Sequence, residues 1–209
     1  MVHVASGEVV EPAHERGRLR RRQVLDAAEK CFRRHGFHAA SMAGVALEAG
    51  MSVGHIYRYF ENKEAIVAAI VERDLQETAA QFARMRASPQ GVVAAMVESL
   101  DDCVDQAANK DSSALFLEVM AEAARNPRVA EMAAAEQRAT RQWLLELFIG
   151  GRGDELSAGQ IEDLVDLFLL FITGLRVRAA YDGKIDRERM IRLLGKIITA
   201  APKPEPEAP

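Results

Sequence analysis

Residues 41–63, SMAGVALEAGMSVGHIYRYFENK, constrain this chain more than any other stretch. The Ser41 hydroxyl is placed to accept one of the backbone N–H groups left unpaired at a helix start, which predicts a helix over Met42–Glu48. Gly50 ends it. Lacking a Cβ, it takes the left-handed conformation that turns the chain, so Ala49-Gly50-Met51 is the connector. Ser52 then caps a second helix. Over residues 53–59 the apolar positions Val53, Ile56, Tyr57 and Phe60 recur at three- and four-residue spacing, which is expected to turn them inward and leave Gly54, His55, Arg58 and Tyr59 on the outer side. Two short helices joined by a glycine turn read as helix-turn-helix.

At these residues the chain resembles the DNA-binding region of the TetR/AcrR family of transcriptional repressors. The likeness is carried by Val45-Ala46, Ala49-Gly50, Ser52, Gly54, His55, Ile56, Tyr57, Tyr59-Phe60 and Lys63, and the preceding AAEKCFRRHGFHAAS resembles the family's first helix and the loop after it. The sequence departs from the family at His55, where a small hydroxyl residue is more usual. It departs again at Gly44, inside the motif's first helix, where glycine costs up to ~1 kcal/mol against alanine. The resemblance implies an all-α protein of about nine helices, with a three-helix head over residues 16–62 and a ligand-binding and dimerisation body over 63–201. It also implies double-stranded DNA as partner, read by the second helix of the motif, whose early residues enter the major groove. Arg58, His55 and Tyr57 are the expected base readers, and Ser41, Ser52, Tyr59 and Lys63 are expected to hold phosphates. Val53 and Gly54 complete that surface, and Tyr57 keeps a second reading as a packing residue between head helices. Two heads would read a near-palindromic operator at points about one helical turn, ~34 Å, or a multiple apart.

Charge is distributed as such a protein needs. The formal net charge is −4. Residues 14–63 hold ten Lys or Arg against five Asp or Glu, a net of +5; with Glu8 and Glu11 preceding them, residues 64–209 are left with −7. A basic end facing a polyanion and an acidic remainder kept away from it fit this asymmetry. Arg16, Arg18, Arg20, Arg21 and Arg22 form either a solvated face or a set of phosphate contacts, and their place beside the helix-turn-helix favours the second. Cys31 and Cys103 are too few for a disulfide framework and too distant in sequence for a metal pair, so they are read as core thiols in a reducing compartment. Residues 1–15 lack the basic start and apolar core of a secretory signal and are expected to be disordered, as is the proline-rich tail 202–209. The most apolar run, residues 164–175, contains Asp166 and Gly174 and is shorter than the ~20 residues that cross a bilayer. No membrane partner and a cytoplasmic location are expected.

Along the chain, residues 17–35 make the first helix, with Leu19, Val24, Ala27, Ala28, Cys31 and Phe32 on one face and Gly36 as the stop. A long helix begins at Glu61 or Asn62 and runs to about Met85, with Ile66, Ile70, Leu75 and Phe82 inward. Further helices are expected over residues 92–108, 112–125 and 129–149, followed by a loop through Gly150, Gly151 and Gly153. Residues 160–181 are apolar nearly all round and need cover on two sides. A last helix, 186–198, supplies Ile191, Leu193, Leu194, Ile197 and Ile198 beside them. The resemblance implies that the fourth helix transmits ligand state to the head, that the last two helices of each of two copies form a four-helix homodimer interface, and that the body encloses a pocket for an unidentified small effector. Bulky or flexible side chains nominate Phe116, Met120, Trp143, Leu147, Phe168, Ile172 and Arg176 as its lining, although such stripes are more often plain core. Arg176 and Arg178 either reach solvent or pair with an anionic ligand. Glu118 and Glu122 favour a cationic ligand if inward and are ordinary solvated charges if outward.

A Gly-rich phosphate loop, a metal-ligand cluster, a nucleophile elbow and a His–carboxylate–nucleophile set are all missing from the sequence. No catalytic residue, metal site or cofactor is therefore expected, and the chain is not expected to be an enzyme. Two readings stay open: a homodimeric repressor released by an apolar or amphipathic effector, and a DNA-binding protein whose body only dimerises.

Overall fold

A computed structural model describes residues 13–182 and 184–199; residues 1–12 of the arm expected to be disordered and the tail 202–209 lie outside them, whereas residues 13–15 of that arm already belong to the first helix. All regular structure among the described residues is helical: α1 Ala13–Ala39, α2 Met42–Glu48, α3 Val53–Tyr57, α4 Lys63–Arg86, α5 Val92–Glu98, α6 Leu100–Ala108, α7 Lys110–Ala123, α8 Pro127–Arg152, α9 Ala158–Tyr181 and α10 Arg187–Ile198. These ten segments become nine helices if α5 and α6 count as one, since only Ser99 separates them. The chain divides into two compact units between Ile66 and Val67.

In the first unit, Val24, Leu25, Ala28, Cys31 and Phe32 of α1 are buried with Val45, Ala46, Ile56 and Phe60. Leu19, expected on the inner face, is instead 53% exposed. Gly36 interrupts α1 with φ 75° and ψ 160°, a conformation in the half of the map that disfavours a Cβ. The helix proper thus stops where expected, and Phe37 closes back to place its ring 5.5 Å from Phe32.

In the second unit, α7, α8 and α9 pack mutually, while α6 and α10 lie against α9 and α5 lies against α8. Their common core holds Met96, Leu100, Val104, Leu144, Leu147, Phe148, Val165, Leu175, Leu194 and Ile198. Helices α1, α7 and α8 begin at Ala13, Lys110 and Pro127, earlier than the expected 17, 112 and 129, and three further boundaries differ for a local reason. The single helix expected over 92–108 breaks at Ser99, whose hydroxyl donates to the Met96 carbonyl at 2.8 Å and competes with the helix ladder. Helix α8 runs through Gly150 and Gly151 to Arg152 instead of ending at Ile149. A Cβ on Gly151 would lie 3.0 Å from a Val93 methyl, so the absent side chain lets α8 approach α5. Buried Arg152 then donates to the Ile198 carbonyl at 2.8 Å and pairs with Glu155 at 2.9 Å, joining the ends of α8 and α10. Helix α9 starts at Ala158, two residues early, under a reciprocal cap: Ser157 accepts from the Gln160 N–H and the Gln160 side chain accepts from the Ser157 N–H.

Candidate nucleic-acid interface and ligand cavity

The motif is built by its own caps. Ser41 Oγ accepts from the Gly44 N–H at 3.1 Å, and Ser52 Oγ accepts from the His55 N–H at 3.2 Å. Between them Gly50 adopts φ +63°, which makes the turn. The two helices are moored to α1 by Gln23, whose amide donates to the Ala49 carbonyl at 2.7 Å, and by Glu48, which pairs with Arg34 at 3.0 Å and Lys30 at 3.7 Å.

With α3 fixed in this way, its faces differ from the apolar pattern. Ile56 and Phe60 are buried as expected, but Val53 is 39% and Tyr57 53% exposed. Positions 53 and 57 share one side of this five-residue helix and positions 56 and 60 the other, and only one side reaches the core. Tyr57 is therefore no packing residue between head helices. Ser41, Ser52, Gly54 and Arg58 are also exposed, whereas His55 and Tyr59 are half-buried against one another, with rings 5.4 Å apart and Tyr59 Oη 3.4 Å from His55 Nε2. Lys63 is committed elsewhere. Its ammonium donates to the carbonyls of Phe37 at 2.8 Å, His38 at 3.1 Å and Ala40 at 3.4 Å, and lies 4.5 Å from the Phe37 ring centre. Any phosphate held by Lys63 would have to share that ammonium with three carbonyls. Arg16, Arg18, Arg20, Arg21 and Arg22 are all exposed along α1, and the Arg21 guanidinium lies 5.0 Å over Phe60.

The second unit contains a cavity of about 210 Å³. Phe116, Met120, Leu147, Phe168, Ile172 and Arg176 all line it, together with Phe82, Met96, Leu100 and Leu144. Trp143 does not. Its indole packs 5.8 Å from the Phe82 ring, one layer behind the wall. Glu118 and Glu122 are not in the lining either. Glu122 is buried and accepts from the Asn126 amide at 3.1 Å, next to the turn into α8. The cavity's charged residues are Arg176 and Glu136. Burial pushes the Glu136 carboxyl above its ordinary range, Asp74 adds to the rise and Arg176 opposes it. Burial likewise pushes the Cys103 thiol, also in the wall, up to about 11, with Arg176 opposing, and it raises Cys31 in the first unit. Both sulfurs are thus protonated at neutral pH and poor nucleophiles, as core thiols are.

Two family models match most of this chain. Residues 24–70 match the model of bacterial regulatory proteins of the tetR family, and residues 89–201 match the C-terminal model of BetI-type transcriptional repressors. The chain belongs to the TetR family. It is accordingly a DNA-binding transcriptional regulator and not an enzyme. The HTH-type transcriptional regulator UidR of Escherichia coli strain K12 is 40% identical over 114 residues, which are 54% of this chain and 56% of UidR, so the chain spans little more than half the length of that relative. BetI of the same strain is 28% identical over 186 residues, covering 87% of this chain and 93% of BetI. Among solved structures, Salmonella enterica GusR superimposes with a TM-score of 0.69 and 27% identity over 92% of this chain and 97% of GusR. No described helix of this TetR-family chain is long and apolar enough to cross a membrane.

Two residues that shape these sites escaped the sequence reading. Gln23 sits among arginines on α1, and nothing in its spacing announces a bond 26 residues away. Glu136 lies in an Ala-, Glu- and Arg-rich stretch of α8 that reads as solvated; only the packing of α8 on α7 and α9 turns it towards the cavity.

Proposed function

We propose that this TetR-family chain is a cytoplasmic homodimeric repressor, released from a near-palindromic operator by a small apolar or amphipathic effector. One observation supports the effector half of this reading: the cavity is lined mainly by Phe, Met, Leu and Ile side chains, with a minority of Thr, Gln and Ser and two charged residues, the mixed composition of a small-molecule site. Base reading is assigned to Arg58 and Tyr57, with Val53 as an apolar contact, because all three are exposed on α3. His55 is assigned to holding Tyr59. An effector releases DNA only through different affinities for two arrangements of the paired heads.

Dimerisation is assigned chiefly to α9. Leu167, Leu170, Val177 and Tyr181 are 49%, 71%, 38% and 75% exposed and, with Gly174, repeat at spacings of three and four along one side. Helix α10 contributes less than its composition suggests. Leu194 and Ile198 are buried, Met190, Ile191 and Ile197 pack on the same protomer's core, and Arg187, Glu188, Arg189, Arg192 and Lys196 are outermost. Light scattering on the wild type and Leu170→Asp tests the assignment: the expected result is a dimer that becomes a folded monomer with much weakened operator binding. A Leu170→Asp protein that remains dimeric would move the interface off α9. Fragments selected from the source genome supply the operator for the second measurement.

A further inference from the structure

The side chain of Arg176 is left electrically incomplete. It enters the cavity from α9, and its guanidinium lies 5.2 Å over the Phe116 ring of α7. Its Nε is shut off from solvent and has no hydrogen-bond partner. No ion pair among the described residues engages it. Arginine cannot discard its proton to escape such a position, and a guanidinium edge without acceptors is costly to bury. Glu136, the other charged group of the lining, has that escape: it neutralises by taking up a proton, and burial and Asp74 already push it that way. The permanent charge of the cavity is thus positive.

Resting on the reading of this cavity as the effector site, we infer that the effector is an organic monocarboxylate with a compact apolar body, its carboxylate taken by Arg176. A planar carboxylate fits the edge of a guanidinium with two parallel hydrogen bonds, and the Phe116 ring fixes the plane of that guanidinium from its face. The body of the acid lies on Phe82, Leu100, Leu144, Leu147 and Ile198. Neutral groups such as Gln106 and Thr140 take any hydroxyl it carries. Size limits the body further. A cavity of about 210 Å³ is somewhat larger than the ~150 Å³ apolar void that admits benzene, which leaves room for one ring or a short chain with its carboxylate. A cationic ligand would set its charge against Arg176, and a purely apolar one would leave the guanidinium edge unmet.

The test uses the full-length protein and matched probes: phenylacetate, cinnamate and hexanoate, each with its amide and its amine counterpart, followed by calorimetry and by melting temperature. The acids are expected to bind and to stabilise, with the amides and amines at least tenfold weaker. Arg176→Gln is expected to remove the preference for acids, with its unliganded melting curve confirming that it folds. Amides or amines that bind as well as the acids, or acids that bind Arg176→Gln unchanged, would overturn the inference while leaving the cavity as the effector site. No binding by any of the three classes would overturn both.

Discussion

In the head, the groups assigned to DNA are positioned by hydrogen bonds that span three residues, Ser41 to Gly44 and Ser52 to His55. In the body, the cavity is assembled from α4 to α10, and Arg176 faces Phe116 across 60 positions of sequence. The charges differ in the same way. The head keeps Arg16, Arg18, Arg20, Arg21, Arg22 and Arg58 exposed, where water screens them. The body carries one guanidinium into a wall of apolar side chains and gives its Nε no partner. On the proposed readings the two units use charge for different ends: exposed arginines in the head would give affinity for any DNA, and Arg176 in the cavity would select the chemistry of a small molecule.

The largest expected effect separates the units. Ile56 is fully buried at the centre of the motif, so Ile56→Ala should destabilise the head by ~2–5 kcal/mol. Operator binding should fall sharply while the acids still bind the body with unchanged affinity by calorimetry. Loss of both together would show that the units do not behave as separate stabilities. Next comes the distinction inside the head between reading and holding. Arg58→Ala should cost ~1–3 kcal/mol on the operator and relax preference at one base pair, with little change in melting temperature. Unchanged operator affinity would remove Arg58 from the base readers. For Lys63→Ala the order reverses. Losing an ammonium shared by three carbonyls should lower head stability by about 1–2 kcal/mol. Its salt slope on DNA should stay near the wild-type value, and a slope reduced by a full unit would show that the same ammonium also neutralises a phosphate.

What the sequence made legible follows from the range of the interactions concerned. Caps, the Gly50 turn and the limits of α2 are set by neighbours a few residues apart, and they stand where the pattern of Ser, Gly and apolar residues put them. The outward turn of Val53 and Tyr57 was not legible, because a five-residue helix offers two apolar sides by spacing alone and only the position of α1 decides between them. In the body, six of the nominated residues do meet round one cavity, since bulky and flexible side chains on adjoining helices have few other places to go. Trp143 misses it by one layer. Its place depends on how far α8 is rotated about its axis, which the spacing of apolar residues leaves loose. Part of the apolar surface of α10 covers its own core, Leu194 and Ile198 being buried there, a distinction that composition cannot make.

The smallest effect concerns the charge balance of the body. The Glu136 carboxyl is raised in the folded protein by burial first and by Asp74 on α4 second, against the lowering by Arg176 on α9. A carboxyl whose folded pKa lies above its unfolded value binds its proton more tightly when folded. Folding is therefore favoured while the group is protonated, and that advantage is lost as pH rises from the ordinary carboxyl range through the raised folded value. The neutral side chain of Glu136→Gln has no such dependence. The difference in melting temperature between Glu136→Gln and wild type should accordingly grow in the variant's favour as pH rises through that window, and then level off. Taking the difference cancels the other carboxylates, which titrate equally in both proteins. A difference that is flat with pH would mean that Glu136 is solvated in both states, and one that shrinks with pH would mean that Arg176 outweighs burial and Asp74. In the second case the guanidinium already has a carboxylate for company, and its demand for an acid ligand would weaken with it.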